Sequence, residues 1–327
     1  MSRRVFKTRL LTKGGFRRDE VTDLSSWLEI GLEASGAREK KILQHPHTKK
    51  WYLAKFPKYG SFEIVTEIFN SILAAELGIH HVQYFPIVYK NKLGVVCESF
   101  IDPIARSEGL EELWEMKELV CRYSGLPNTE KKFGRDPEVL KEHNLDNIFL
   151  ILETEFGKSV LPPFFEMIGL DALIGHGDRH WSNYGVVVSA RNNQIRAKFA
   201  PLYDTASGYL TEITATKIAS EAELLKKTLR TDLCNEEWYR VKRAGLCKIT
   251  VPNDIKANHF DLMQRIIAFP TMNCYKVSVA KAFRNFDKKL PRAIIKRYFN
   301  DLSEYRVQII ETILLTRHRL GCSVLSI

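Results

Sequence analysis

A two-lobed α+β fold, β-rich in its N-terminal lobe and mainly helical in its C-terminal lobe, is predicted by three features of this sequence. Short runs of aromatic and β-branched residues, bounded by Pro and turn residues, crowd the region before residue 102. Apolar residues at helical spacing dominate the region after it. One strand pair, at 184–199, is set among those helices.

The elements follow in order. Residues 50–56 form a short strand of aromatic and apolar side chains that Pro57 stops. Ser61 then caps a helix running to about Leu77, with Glu63 in its favourable first turn and Gly78 at its end. Phe62, Val65, Ile68, Phe69, Ile72 and Leu73 give that helix an apolar stripe. Strands at 82–89 and 93–101 are joined by the turn Lys90-Asn91-Lys92. Helices are expected at 108–122, 136–153, 162–175 and 219–229, with a long C-terminal pair from 289 to 319. The hairpin runs from 184–189 through Arg191-Asn192-Asn193 to 195–199. These elements divide the chain into an N-terminal lobe, 1–102, and a C-terminal lobe, 103–327.

Composition narrows the function classes. With 45% hydrophobic and 27% charged residues among 327, the chain reads as an ordinary globular protein with enough length for two lobes. It contains no apolar run of membrane-spanning length, and Met1-Ser2-Arg3-Arg4 is not followed by the apolar stretch of a secretory signal. The six cysteines are far apart and form no C-x-x-C pair, which suits reduced thiols in a cytoplasmic protein. The net charge of +10 is spread over Lys40-Lys41, Lys49-Lys50, Lys131-Lys132, Lys226-Lys227 and Lys288-Lys289. No Arg-rich arm or zinc-finger spacing accompanies it, so direct nucleic-acid binding is not expected. Solvated surface charge and attraction to anionic nucleotides account for the excess.

The chemistry is concentrated in Gly175-His176-Gly177-Asp178-Arg179-His180-Trp181-Ser182-Asn183 and in Ala200-Pro201-Leu202-Tyr203-Asp204. An aspartate, an asparagine five residues later and a second aspartate beyond a hairpin are the trio that phosphoryl transfer from ATP requires. One carboxylate takes the proton of the attacking hydroxyl, while an amide oxygen and the other carboxylate hold Mg²⁺ against the phosphates. Asp178 is accordingly the expected base, and Asn183 and Asp204 the expected metal ligands. His176 is expected to brace the loop backbone. His180, hydrogen-bonding near Asp178 or a phosphate, joins the catalytic set. Arg179 has two readings, neutralising phosphate charge or pairing with a surface carboxylate.

Lys55 sits in a short apolar strand, where a cation is costly to bury unless it meets an anion. Glu63 and Glu67 on the next helix are both in reach, and Glu67 is preferred because it lies deeper in the helix. A strand lysine paired with a helix glutamate and turned to the α- and β-phosphates is one reading; a lysine at a strand edge is the other. Ser35-Gly36-Ala37-Arg38-Glu39-Lys40-Lys41 is a short polar, basic loop able to wrap phosphates through backbone N–H groups. Ser35 serves either as a turn former or as a site of phosphorylation. Glu98-Ser99-Phe100 ends the strand leading to the second lobe, where its backbone can read the adenine edge, with Phe100 as an apolar wall or as plain core. His45-Pro46-His47 reads as a hairpin tip, not a metal site.

At these residues the chain resembles the HipA-like serine/threonine kinases, a family distantly related to the phosphatidylinositol 3/4-kinases. Six motifs carry the resemblance, in order from 35 to 204: S-G-x-x-x-K at Ser35–Lys40, K-F-P at Lys55–Pro57, E-x5-L-A-x3-G at Glu67, Leu73-Ala74 and Gly78, E-x-F at Glu98 and Phe100, G-D-x-H-x-x-N at Gly177–Asn183, and A-P-x-Y-D at Ala200–Asp204. The resemblance implies a protein-kinase-like fold. It also implies Asp178 as base, Asn183 and Asp204 on Mg²⁺, Lys55 on the phosphates, and Ser35, Gly36, Ala37 and Lys40 around the nucleotide. Ser35 becomes a site of autophosphorylation, and the partners become ATP, a protein substrate and an antitoxin-like regulator. The chain is similar to the short HipT- and CtkA-type members. Tyr203-Asp204-Thr205 stands where the lipid kinases have D-F-G, which favours the HipA-like branch. Two other readings stand beside this one, a small-molecule or lipid kinase and a catalytically silent nucleotide-binding regulatory module. Residues 210–327 carry no legible motif.

Overall fold

In the computed structural model the described residues are 10–11, 15–16, 21–31, 39–58, 60–101, 105–106, 108–126, 137–191, 194–209, 211, 217–228, 247–299 and 302–327. Strands β1 (Leu10–Leu11) and β2 (Gly15–Phe16) pair with each other. A six-stranded sheet is then built from β3 (Thr22–Asp23), β4 (Leu28–Ile30), β5 (Lys40–Gln44), β6 (Trp51–Lys55), β7 (Phe85–Tyr89) and β8 (Lys92–Glu98), in the order β3-β7-β8-β6-β5-β4. Helix α1 (Phe62–Glu76) packs on one face of this sheet. Leu24, Leu43, Ala54, Phe56, Ile87, Tyr89 and Val96 form a separate apolar cluster of the same sheet.

The turn between β7 and β8 carries positive φ at Lys90 (47°) and Asn91 (64°), the geometry that closes a tight hairpin with the twist of its strands. The 45–50 turn between β5 and β6 is closed by His45 N–H donating to the Lys50 carbonyl at 2.9 Å, and it carries His45-Pro46-His47 as expected. Ser61 does precede α1, but its backbone is already helical and its side chain makes no capping hydrogen bond. The first turn is held instead by the Glu63 carboxylate, which accepts the Lys58 N–H at 3.0 Å.

The rest is helical around one sheet of three strands, β9 (Glu111–Glu115), β10 (Gly185–Arg191) and β11 (Gln194–Phe199), ordered β11-β10-β9. The helices are α2 (Met116–Ser124), α3 (Pro137–Glu142), α4 (Leu145–Phe156), α5 (Leu161–Ile174), α6 (Ile218–Thr228), α7 (His259–Ala268), α8 (Pro270–Asn273), α9 (Lys276–Arg284), α10 (Leu290–Tyr298) and α11 (Glu304–Leu325).

The sequence expectation of one helix over 108–122 is corrected. Residues 111–115 are a strand, because β10 offers an unpaired edge to them and pairing there outweighs local helix preference. The helix expected at 136–153 is broken at His143-Asn144, where the Asn144 side chain accepts the Asn147 N–H at 3.0 Å and starts a new helix. The strand expected from 82 begins only at Phe85, since Val82 N–H is taken by the Leu202 carbonyl at 2.9 Å.

Helix α5 is apolar and buried along most of its length, with Phe164, Phe165, Leu170, Leu173 and Ile174 in the largest core cluster. That cluster also takes in Phe69 and Leu73 of α1, Phe260 of α7, Phe283 of α9 and Ile310 of α11. Rings reach across the same junction, Phe69 to Phe299 at 6.2 Å and Phe69 to Tyr209 at 5.6 Å. Among the described residues, no helix is long and apolar enough to cross a membrane.

Candidate active site

The site lies where the C-terminal end of α5 runs into the loop 175–184, and where the segment 202–209 leaves β11. Gly175 ends α5 with φ 68°, a left-handed turn that a side chain would strain. Gly185 starts β10 where an added Cβ would stand 2.2 Å from the Trp114 carbonyl oxygen. Only a glycine lets the strand abut β9 there, two residues after Asn183.

Between these ends the loop is held by its own backbone. His180 N–H donates to the Asp178 carbonyl at 2.9 Å, Asn183 N–H to the His180 carbonyl at 2.8 Å, and Gly177 N–H to the Ser207 carbonyl at 3.2 Å. The Asn183 side-chain nitrogen donates to the Asp178 carbonyl at 2.8 Å. Its amide nitrogen is thereby committed, and its oxygen is the atom left to face a cation. Among the described residues the Asp178 carboxylate has no hydrogen-bond partner.

Arg179 takes neither of the roles expected for it. Its side chain is fully buried, and the guanidinium meets Asp171 of α5 in a two-point pair, Nε to Oδ2 at 2.8 Å and Nη2 to Oδ1 at 2.9 Å. Nη1 donates to the carbonyls of Asn183 at 2.9 Å and Tyr203 at 2.8 Å. One buried cation therefore ties α5, the loop and the 203–204 segment together. Burial works against the Asp171 charge, but Arg179 holds its carboxyl below the usual carboxylate range. The signal for this pair was present in the sequence as a lone aspartate inside an apolar helix, eight residues before an arginine.

His176 braces the backbone, with Nε2 at 2.9 Å from the Asp204 carbonyl. Burial lowers its pKa and keeps it neutral, with Arg179 acting in the same direction. His180 is held by its own loop, its Nδ1 accepting the Ser182 N–H at 3.3 Å. Burial lowers its pKa, and the nearby Asp178 and Asp204 charges oppose that shift.

The other wall comes from β6 and α1. The Lys55 ammonium is buried and donates to Glu67 Oε1 at 2.8 Å and to the Tyr84 hydroxyl at 2.9 Å, and it stands 3.2 Å from Asp204 Oδ1. Burial opposes its charge, and the Asp204 and Glu67 carboxylates more than offset this, holding its pKa well above the usual lysine value. Glu63 does not join the pair. Glu67 Oε2 accepts from Thr205, N–H at 2.7 Å and Oγ1 at 3.0 Å, so α1 is fastened to the segment bearing Asp204. Asn70 reinforces the same junction, donating to the Thr205 carbonyl at 2.7 Å and accepting from the Tyr209 hydroxyl at 2.7 Å.

Asp204 itself has a left-handed backbone, φ 55°, held by its N–H donating to Tyr84 at 3.2 Å and by His176 at its carbonyl. Lys40 of β5 approaches its other carboxylate oxygen at 3.9 Å. Tyr84 was not found by sequence reasoning, for it carries no motif, and Thr205 was seen only as the residue after Asp204, with no role of its own. Tyr84 reaches the site because the 79–84 segment is pinned beside Leu202, and Thr205 because α1 turns Glu67 and Asn70 toward it.

Two expected site residues sit apart from this cluster. The Glu98 side chain turns to solvent and pairs with Lys50 Nζ at 2.5 Å. Phe100 is half-buried and stacks on Tyr203, ring centres 5.6 Å apart. Ser35, Gly36 and Ala37 lie outside the described residues.

Asp204 and Asn183 are hard oxygen donors of the kind Mg²⁺ takes, beside lysines suited to phosphate oxygens. Among the described residues no group of three or more His, Cys, Asp or Glu could hold a metal ion. A cation at this place would thus rest on few protein ligands and on oxygens brought by a nucleotide, the usual habit of Mg²⁺.

A β-rich part and a helical part, with a lysine–glutamate pair against the aspartate that follows the hairpin, make up a kinase-like fold. The chain belongs to the HipA-like C-terminal domain family, whose model matches residues 32–266. In fold it is similar to the crystal structure of CtkA, a proinflammatory kinase of Helicobacter pylori, with a TM-score of 0.67 and 18% identity over 93% of this chain and 97% of that one. It is also similar to HipA of Shewanella oneidensis MR-1, solved with HipB and operator DNA, with a TM-score of 0.51 and 13% identity over 90% of this chain and 67% of that one. No curated protein matches the chain in sequence.

Proposed function

We propose that this protein is an ATP- and Mg²⁺-dependent kinase that transfers the γ-phosphate to a serine or threonine of a protein. The observation that carries the reading is the meeting of Lys55, Glu67 and Asp204 within 3.2 Å, next to a loop that presents Asp178 with its carboxylate open. Asp178 would accept the proton of the acceptor hydroxyl, a task that needs an ionised and accessible carboxylate. Lys55, preset by Glu67, would exchange part of its contact with Asp204 for phosphate oxygens, and Lys40 would do the same from β5. Asp204, so released, and Asn183 would hold Mg²⁺, which when bound neutralises charge on the phosphates. His180 would support Asp178 from within the loop.

The backbone of 98–100 would meet the adenine edge, with Phe100 as its wall, and Ser35, Gly36 and Ala37 would wrap the phosphates. The two lobes would divide at 1–102 and 103–327. A cytoplasmic setting, a protein substrate and an antitoxin-like regulator follow from the family as parts of the same proposal.

The test is incubation of the purified protein with Mg²⁺ and radiolabelled ATP, alone and with lysate, followed by mass spectrometry. Label on a protein band, lost in Asp178→Asn, is the expected result, with Ser35 among the modified residues. Label confined to a phosphoinositide extract would assign a lipid kinase instead, and no transfer with intact ATP binding a silent regulatory module. Asp204→Ala should weaken Mg²⁺-ATP binding itself, measured by calorimetry, whereas Asp178→Asn should not.

A further inference from the structure

Against the loop, three buried side chains from α11, α7 and the loop itself form a line of hydrogen bonds that ends on the backbone of Asp204. Arg317, in the middle of α11 and 1% exposed, donates through Nε to the Ala172 carbonyl at 2.5 Å. This oxygen is one of the last-turn acceptors of α5 that the helix itself cannot satisfy. A cation at that end also meets the negative pole of the helix. The guanidinium lies 4.8 Å from the centre of the Phe260 ring and against Gly175. Its Nη2 stands 3.1 Å from Nδ1 of His259, the first residue of α7. His259 Nε2 stands 3.0 Å from the His176 carbonyl, and His176 Nε2 stands 2.9 Å from the Asp204 carbonyl.

The direction of every bond in this line is fixed by chemistry. A guanidinium has only donors, so His259 Nδ1 must accept. A neutral imidazole has one donor and one acceptor, so the proton of His259 is on Nε2, where it meets the His176 carbonyl. His176 in turn must carry its proton on Nε2 to meet the Asp204 carbonyl. Burial and the adjacent Arg317 charge keep His259 neutral, with a pKa near 3. The arginine at Nδ1 and the His176 carbonyl at Nε2 thus set the tautomer of the first histidine together. That histidine fixes the peptide of the second, whose ring fixes the carbonyl of the second acidic site residue.

We propose that Arg317 and His259 are positioning residues for phosphoryl transfer, setting the backbone of Asp204 through His176 and not by direct contact with it. The inference rests on the kinase reading, and Arg317 lies beyond the residues 32–266 that the family model covers. The function is that of an outer shell, in which partners of a ligand orient it and their loss typically costs roughly 10–100-fold in metal affinity or activity.

The test has two arms. Long-range ¹H–¹⁵N spectra of the imidazoles at neutral pH should show His259 and His176 protonated on Nε2 in the wild type. Arg317→Met, which leaves only the His176 carbonyl to orient the proton, should let an Nδ1-protonated population of His259 appear. Calorimetry should then show Mg²⁺-ATP binding weakened roughly 10–100-fold in His259→Phe, with ATP binding in EDTA unchanged. His259→Gln, which keeps an N–H donor toward His176, should recover most of the loss. A wild-type His259 protonated on Nδ1 overturns the relay whatever the variants do. So does a folded His259→Phe that binds Mg²⁺-ATP as the wild type does, or a Gln variant no better than Phe. A wild type that fails to bind Mg²⁺-ATP at all overturns the kinase reading, and the relay's role falls with it. Normal binding with indifferent variants overturns the relay alone.

Discussion

The two walls of the site are held in opposite ways. On the sheet side the candidate functional groups hold one another: Lys55 meets Glu67, Tyr84 and Asp204 directly, and Glu67 continues to Thr205. On the loop side the candidate base is left open, and other residues do the holding. Arg179 and Asp171 fix the two carbonyls that frame the loop, and His176 fixes the Asp204 backbone. Function and stability should therefore separate cleanly on the loop side and be entangled on the sheet side. A proton acceptor must be accessible and lightly bonded, whereas a buried cation must be fully surrounded by partners.

The comparison is broken most readily at Asp178. Asp178→Asn is expected to cut phosphoryl transfer by roughly 10²–10⁴-fold with an unchanged melting temperature, measured by ATP turnover and calorimetry. A large loss of stability in this variant would mean that the loop aspartate is part of the scaffold after all.

Asp171→Ala is the reverse case. It strands a buried guanidinium, and breaking a buried pair in this way costs about 3–5 kcal/mol, read by urea unfolding. A near-neutral result would mean that water or another acceptor reaches Arg179.

Acid should act through the same scaffold. His143 and His259 are buried neutral, with pKa values near 3 against the ordinary 6.5. Below pH 6.5 the unfolded chain binds protons at these rings that the folded chain does not. Their contribution to stability is therefore complete above about 6.5 and is lost progressively as pH falls toward 3. Thermal melts across that window should decline, and His143→Phe should flatten the decline. An unaltered slope would remove His143 from the account.

On the sheet side, Lys55→Ala should raise the KM for ATP, lower kcat and lower the melting temperature together, because it leaves the Glu67 and Asp204 carboxylates without the cation between them. Normal stability with lost activity would show that the two walls are less different than their bonding implies. The smallest effect is expected for Tyr84→Phe. It removes one hydroxyl shared by Lys55 and the Asp204 N–H, at about 1–3 kcal/mol, measured by chemical denaturation.

Much of this was legible in the residues. The hairpin at 184–199, the helix after Lys55 and the apolar helix before Gly175 are written in local periodicity and turn chemistry, which need no knowledge of the fold. The spacing of Asp178, Asn183 and Asp204 is legible for the same reason, since a hairpin of fixed length returns the chain to where it left. The strand at 111–115 was not legible, because its acidic residues prefer helix and only the edge of β10 reverses that preference. The helices of 259–325 carry ordinary amphipathic patterns and no motif, so nothing local distinguishes Arg317 or His259 from other buried residues.

By itself the sequence determined the α+β division, the order of the candidate site residues along the chain and the pairing options open to Lys55. The tertiary structure alone decided among them. It turned Arg179 inward to Asp171, brought Tyr84 to the lysine and fastened Thr205 to Glu67. It also carried α11 from the far end of the chain to the back of the loop. The reason is physical. Backbone preferences and short spacings act between neighbours and can be read in order, but a buried charge accepts whichever partner packing delivers, and packing is settled only when the whole core closes.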